Sequence, residues 1–158
     1  DCNPKDSVYD LGGKGTRNNI IATPVIAGDR VLLGVGEDPE HGEGVGHLYA
    51  IDPSKAPASG APGSAGPIDI TVTGRAWHLG DKDFRRTISS VAVHEGLVYA
   101  ANLSGSLVCL DEKTGRPCWT HDLLSAVWGS PTVIDGKVYL GNEDGTPVAS
   151  GNVTIKYR

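Results

Sequence analysis

The sequence predicts an all-β fold built from one repeated unit, and three features of the chain support this prediction. Residues 88–108 superimpose without a gap on residues 128–148, with eight identical pairs such as Gly96 and Gly136. Apolar runs rich in Val, Leu and Tyr end at Gly-containing turns, as in antiparallel strands joined by tight connections. The chain also has 22 Gly and 10 Pro but one Phe and no Met, a composition that favours turn-rich β structure.

The offset of the repeat is 40 residues, which is typical of the four-stranded blade of a β-propeller. The central copy predicts four strands, at Ser90–His94, Leu97–Asn102, Ser106–Leu110 and Pro117–His121. At this period the chain holds three to four blades in a single domain, 1–158. The repeat units are 20–80, 84–123 and 124–158, and in the last unit residues 146–158 depart from the pattern.

A more divergent copy precedes these two. Thr23–Gly36 matches Ser130–Gly145, and Trp77 corresponds to Trp119, but two insertions separate the matched segments. Residues 37–45 form a polar loop. Residues 53–67 are rich in Pro, Ala, Gly and Ser, so they cannot bury enough apolar surface to offset their ordering entropy and are predicted to be a flexible loop.

Two further expectations follow from local pattern and from the chain's beginning. Ile68–Val72 alternates apolar and polar residues, which predicts a half-buried strand. The chain begins at Asp1, and this beginning without Met indicates a mature or excised segment.

Charge and length exclude some partners and leave one question open. A net charge of −5 gives no electrostatic footprint for nucleic acid, and no apolar run is long enough to predict a transmembrane segment. Three to four blades are at the lower end of what closes into a ring, and an open array leaves sheet edges exposed. The chain is therefore expected to be a segment of a larger propeller or to form a homo-oligomer that completes the ring.

The segment Cys109–Trp119, CLDEKTGRPCW, fits the docking pattern A-x-D-x-x-x-G-x-x-x-W, with Cys109 in place of Ala. In this pattern the Trp ring packs between blades while the Asp and the Gly shape the turn. With the partial copy that begins at Ala50, the chain resembles the PQQ-like repeat propellers of the β-barrel-assembly lipoprotein B type. The structural docking residues under this resemblance are Asp52, Trp77, Asp111, Gly115 and Trp119.

The resemblance implies two functions. The first is a non-catalytic scaffold that binds proteins through its loops, without a cofactor, in the periplasm or otherwise outside the cytoplasm, with a role in envelope biogenesis. The alternative is a quinoprotein-type oxidoreductase that uses pyrroloquinoline quinone (PQQ) with Ca²⁺. The chain has no adjacent cysteines, and the ligands of that family do not map onto it residue by residue. The resemblance therefore favours the scaffold.

The polar loop is a candidate metal site. Carboxylates and imidazoles that could hold Ca²⁺ or a transition ion are close together in the sequence: Glu37, Asp38, Glu40, His41, Glu43 and His47. Their spacing matches no EF-hand or zinc pattern, and the alternative is a solvated hairpin insertion.

A second candidate site comes from positions that are equivalent in the repeat. Strand A is innermost in a propeller, so the residues that precede it should gather at one mouth of the central channel. These residues are Asn18, Asn19, Arg85, Arg86 and Trp128. Such a mouth suits an anionic or polar ligand, because guanidinium groups make charge-assisted hydrogen bonds. The alternative is that these residues bridge neighbouring blades, with Trp128 packed between them.

The cysteines leave two interpretations open. If residue 111 pairs with residue 116 across the turn, Cys109 lies opposite Cys118, and a cross-strand disulfide is conceivable in an extracytoplasmic protein. Two buried thiols are the other interpretation. Cys2 is then left over, either free or paired elsewhere.

Overall fold

The computed structural model of the chain describes residues 8, 17–36, 45–56, 68–80 and 82–144. Within these residues the fold is all-β, with two four-stranded antiparallel sheets and one two-stranded hairpin. Sheet 1 consists of β1 (Val25–Ala27), β2 (Arg30–Val35), β3 (His47–Ile51) and β4 (Arg75–Leu79). Sheet 2 consists of β5 (Ala92–His94), β6 (Leu97–Ala101), β7 (Ser106–Asp111) and β8 (Pro117–Asp122). The hairpin consists of β9 (Thr132–Ile134) and β10 (Lys137–Tyr139).

Both sheets are meanders in which each strand pairs with the next, as the repeat predicted. The first turn of sheet 2 places Glu95 at φ 48° and Gly96 at φ 76°, the left-handed backbone of a two-residue hairpin turn that matches the twist of the strands. The observed strands of sheet 2 agree with the predicted ones to within two residues. Only residues up to 144 of the third unit are described, so the tail 146–158 lies outside the described residues.

The sheets stack face to face through two apolar layers. The layer between sheets 1 and 2 takes Leu32, Leu48 and Trp77 from sheet 1, and Val98 and Leu110 from sheet 2. The layer between sheet 2 and the hairpin contains Tyr99, Leu107, Cys109, Val138 and Leu140. Alternate residues of sheet 2 therefore face opposite neighbours, which explains why β6 and β7 are apolar throughout rather than alternating.

The prediction of a strand at Ile68–Val72 is wrong. The backbone turns there instead: the Asp69 carboxylate accepts the Thr71 N–H at 2.8 Å, and the Gly74 N–H donates to the carbonyl of Ile70 at 2.8 Å. Val72 is 76% exposed, so the alternation of apolar and polar residues does not indicate a buried face here. The outer strand of sheet 1 begins only at Arg75.

Of the two interpretations that the sequence left open for Cys109 and Cys118, the disulfide is not formed, because both cysteines are free. The Asp111 N–H does donate to the carbonyl of Arg116, as the assumed pairing requires. A β-bulge then shifts the register, so that Leu110 lies opposite Pro117 while Cys109 lies opposite Trp119. Cys118 is the extra residue and is exposed, so the interpretation as two buried thiols holds only for Cys109.

Candidate functional site

The contact between sheets 1 and 2 is built around Trp77. The indole N–H of Trp77 donates to the carbonyl of Glu112 at 2.8 Å, and the ring lies directly on Gly115, where a Cβ would be 2.6 Å from the indole Cδ2. The β-bulge between Ala50 and Ile51 places Trp77 opposite Ala50, just as the bulge in sheet 2 places Trp119 opposite Cys109. Trp77 therefore packs between sheets 1 and 2, and its role as a docking residue of the family pattern stays a prediction.

The turn that receives Trp77 is held from both sides. Arg30 of sheet 1 donates from Nη1 to the carbonyls of Glu112 at 3.2 Å and Lys113 at 2.8 Å. Within the turn, the Asp111 carboxylate accepts from the hydroxyl of Thr114 at 2.7 Å and from its N–H at 2.8 Å. These bonds stabilise the charged form, so the hydroxyl of Thr114 foremost lowers the pKa of Asp111 below 3.8. Gly115 takes the left-handed φ of 69° that ends the turn.

The other docking residues occupy equivalent positions. Asp52 accepts from the hydroxyl of Ser54 at 2.6 Å and from its N–H at 3.0 Å, and the hydroxyl bond is the main cause of a lowered pKa for Asp52. Trp119 packs in the layer between sheet 2 and the hairpin, with its ring centroid 6.1 Å from that of Tyr99. The turn that would receive Trp119 in the third unit lies outside the described residues.

A series of hydrogen bonds links the innermost strands of successive units. The N–H of Thr23 donates to the hydroxyl of Ser90 at 2.9 Å, and the N–H of Ser90 donates to the hydroxyl of Ser130 at 3.0 Å. These three residues hold the same place in their units. In each case, therefore, a backbone N–H of one unit donates to a serine hydroxyl of the next unit.

The residues predicted at the channel mouth lie on three segments, and the structure brings two of these segments together. Asn19 pairs with Gly36 through both backbone hydrogen bonds, at 3.1 and 3.2 Å. The backbone of Arg85 and Arg86 lies against Gly46, where a Cβ would be 2.0 Å from the Arg86 nitrogen, and Gly36 lies against the Cβ of Arg86 and the backbone of Thr87. The backbones of Asn19 and of the two arginines are thus brought to the same end of sheet 1.

The side chains of this group differ in exposure. Asn18 is buried at 2% exposure, whereas Arg85 is exposed and Arg86 is half-buried. Trp128 is 45% exposed on the segment before β9. These exposures leave Arg85 as the guanidinium best placed to meet a ligand from solvent, and a ligand at this mouth stays a prediction.

The face of sheet 1 that points away from sheet 2, which we call the outer face, carries a groove of about 540 Å³. It is lined mainly by aliphatic and aromatic side chains, with one carboxylate and one guanidinium at its rim: Ile20, Leu33, Tyr49, Ile51, Asp69 and Arg75. Such a concave apolar surface is typical of a place where a partner or a ligand binds.

At the edge of the outer face lie two histidines that sequence reasoning did not connect. Nδ1 of His47 is 3.0 Å from Nε2 of His78, and the ring of Tyr49 stacks on His78 with centroids 4.4 Å apart. Burial lowers the pKa of His78 below 6.5, and His47 and Arg75 shift it in the same direction. The signal that the sequence did contain was the alignment of Trp77 with Trp119, which fixes the strand on which His78 lies.

The remaining residues of the predicted metal site, Glu37, Asp38, Glu40, His41 and Glu43, lie outside the described residues. In the part of the chain that the structure describes, no group of three or more His, Cys, Asp or Glu side chains is arranged to hold a metal ion. No helix among those residues is long and apolar enough to span a membrane.

Comparison with known proteins agrees with the repeat architecture. The chain is 43% identical over 58 residues to 1-butanol dehydrogenase (cytochrome c) of Thauera butanivorans, an alignment that covers 33% of this chain and 8% of that enzyme. The chain thus spans less than a tenth of the length of this relative.

Solved structures match over most of the chain. Quinohemoprotein alcohol dehydrogenase ADHIIG from Pseudomonas putida HK5 superimposes with a TM-score of 0.52 and 22% identity, over 85% of this chain and 19% of the enzyme. A europium-containing methanol dehydrogenase gives 0.51 and 18%, over 87% and 22%. At these identities the likeness shows a shared fold. The family model described as outer membrane protein assembly factor BamB matches residues 63–153, more than half of the chain. The chain therefore belongs to the PQQ-like repeat family of β-propeller proteins that this model defines.

Proposed function

We propose that the chain is a scaffold segment of a β-propeller, and that it binds protein through the outer face of sheet 1. One observation carries this proposal. The outer face occupies the same strand positions as a face of sheet 2 that is covered by a neighbouring sheet, yet in sheet 1 this face is an open groove.

The equivalence follows from the strand registers. Val31 lies opposite Ile51 in sheet 1 as Val98 lies opposite Leu110 in sheet 2. In sheet 2 these positions are sealed, with Val98 and Leu110 both at 0% exposure under the residues of sheet 1. Burying one such aliphatic side chain stabilises a contact by about 1.5–3 kcal/mol, so an uncovered face of this kind favours association.

The hydrogen-bond series at the inner strands supports the same occupant. Ser90 and Ser130 each accept an N–H from the unit before them, and Thr23 holds the equivalent position in sheet 1. The outer face therefore presents both the apolar surface and the inner-strand hydroxyl that a further blade uses. We propose that its partner is another four-stranded sheet, supplied in the isolated chain by a second copy.

Light scattering coupled to size exclusion tests this proposal. We expect a discrete oligomer for the wild-type chain and a smaller mass for Leu33→Lys, because the lysine places a charge in the middle of the groove. Leu124→Lys is the matched control, since Leu124 is 86% exposed on the loop after β8, away from the outer face. A monomer at every concentration, with no difference among the three proteins, would refute a second copy as the partner.

The alternative is an oxidoreductase, and the identity to a butanol dehydrogenase is the observation that favours it. In the part of the chain that the structure describes, no three or more His, Cys, Asp or Glu side chains come together as they would around a Ca²⁺ ion. Arg85 and Arg86 are the groups that could contact an anionic cofactor at the channel mouth. Alcohol-dependent dye reduction after incubation with PQQ and Ca²⁺, absent when Ca²⁺ is omitted, would favour the enzyme over the scaffold.

We further propose that the protein works outside the cytoplasm and takes part in envelope assembly. The support is membership of the family whose model is described as an outer membrane protein assembly factor. Fractionation of the source cells with an antibody to this chain tests the location. Recovery with the cytoplasmic fraction would contradict it.

A further inference from the structure

We propose that His47 and His78 form a binding site for a divalent transition-metal ion, with Ni²⁺ and Cu²⁺ favoured over Zn²⁺. The two imidazoles face each other at the edge of the outer face of sheet 1, with 3.0 Å between Nδ1 of His47 and Nε2 of His78. Imidazole nitrogens are the protein ligands that suit these ions.

The sheet itself holds the two rings together. In the register of β3 and β4, Tyr49 lies directly opposite His78 and Leu48 opposite Leu79. His47, two residues before Tyr49, therefore points to the same face as His78 and is its diagonal neighbour, at a distance that ring side chains span. Both ligands sit on paired strands, so little ordering is needed when an ion binds.

Neighbouring residues also orient His78. Tyr49 stacks on the ring of His78 with an interplanar angle of 13° and also contacts His47, at 5.6 Å between centroids. The stack fixes the plane of the His78 ring and keeps its nitrogen close to His47.

The separation of the nitrogens suits ligands at right angles. Two nitrogens bound to one ion at about 2.0–2.1 Å and about 90° from each other are roughly 3 Å apart, and each ring must turn by about 45°, because the ion then lies off the line that joins the nitrogens. Right-angled ligands are those of square-planar or octahedral Cu²⁺ and Ni²⁺. When the ion binds, the proton of the His47–His78 hydrogen bond moves to the other nitrogen of its ring. Both facing nitrogens then donate lone pairs, and water completes the coordination.

The site remains reachable when another blade covers the outer face. The positions in sheet 2 equivalent to His47 and His78 are Ser106 and Thr120, which lie beside the contact with sheet 1. Ser106 is half-buried and Thr120 is exposed there. The histidine pair thus lies at the margin of a blade contact rather than inside it, and metal binding does not depend on whether the proposed association occurs.

Calorimetric titration with Ni²⁺ tests the site. Cys2→Ser and Cys118→Ser form the background, because accessible thiolates bind the same ions. We expect one bound Ni²⁺ in this background and at least a tenfold loss of affinity in His47→Gln or His78→Gln. His94→Gln, on β5, is the matched control and should bind as the background does. Equal affinity in all four proteins would overturn the proposal.

A second measurement does not depend on how the variants fold. Substoichiometric Cu²⁺ should broaden the imidazole resonances of His47 and His78 first, because paramagnetic relaxation is strongest at the ligands. Broadening that begins at His94 or His121 would place the ion elsewhere and overturn the proposal. Metal binding is measured directly in both experiments, so their failure would leave the scaffold proposal standing.

Discussion

At the scale of single residues, Gly115 links local backbone conformation to packing between blades. Its φ of 69° ends the turn, and its missing side chain makes room for the indole of Trp77. Gly96 has a similar φ of 76°, but nothing lies within 4 Å of the place where its Cβ would be. Substitutions at these two glycines therefore distinguish the free-energy cost of a left-handed backbone from the cost of a steric clash.

We expect Gly96→Ala to lower the free energy of unfolding by about 1–2 kcal/mol, the usual penalty for a left-handed L-residue. Gly115→Ala should lower it by a further ~1–3 kcal/mol, because the added methyl group displaces the Trp77 ring. Urea unfolding curves of the two variants and the wild type measure the difference. Equal losses in both variants would mean that the docking contact does not need the space at Gly115.

Acid stability depends in part on another residue of the same turn. The pKa of Asp111 is lowered in the folded chain, so its contribution to stability is present above the ordinary value of 3.8 and is lost as the pH falls through the folded value. Thr114→Val removes the hydroxyl that is the main cause. We expect the pKa of Asp111 to rise toward 3.8. The free energy of unfolding should then fall less steeply as the pH decreases.

Carboxyl NMR titration measures this change, and Asp52 is the internal control. Its pKa is lowered by Ser54, which lies in the short 3₁₀ helix Pro53–Lys55 after β3, so the substitution should leave it unchanged. A pKa of Asp111 that stays at its wild-type value would assign the shift to the backbone N–H of Thr114 instead.

At the scale of elements, the same β-bulge recurs in the outer strand of both sheets. The extra residue is Ala76 in sheet 1 and Cys118 in sheet 2, and in each case the following Trp is turned toward the next unit. Without the bulge, the Trp would point to the opposite face, because side chains alternate along a strand. The sequence motif thus specifies a change of strand register as well as the Trp ring that packs against the next unit.

The bulge predicts how the cysteines react. In the native chain Cys118 should be alkylated rapidly, whereas Cys109, at 0% exposure, should react only after unfolding. Peptide mapping after alkylation, with and without prior reduction, measures both rates. A peptide pair joined through Cys109 and Cys118 before reduction would contradict the observed register.

At the scale of the whole molecule, the repeat made most of the fold predictable. Gly96, Gly115 and Trp119 mark turns and a docking side chain at fixed spacing, so local pattern was enough to place the strands of sheet 2. The apolar alternation of Ile68–Val72 misled, because the polar contacts of Asp69 and Gly74 form a turn there. Periodicity does not distinguish a short strand from an apolar loop.

The candidate sites were harder to predict, because each depends on contacts between segments distant in sequence. His47 and His78 are 31 residues apart, and only the register of β3 and β4 makes them neighbours. The burial of Asn18 likewise depends on the packing of the segment before sheet 1. A one-residue bulge was sufficient to separate two cysteines that simple pairing placed opposite each other.

The hydrogen bonds from Thr23 to Ser90 and from Ser90 to Ser130 have nearly the same length, although they span 67 and 40 residues of chain. The contact between the innermost strands of successive units is therefore independent of the number of residues in a unit. Extra residues can be added between outer strands while every blade keeps its place. A protein of this type can change its surface loops during evolution without redesigning its centre.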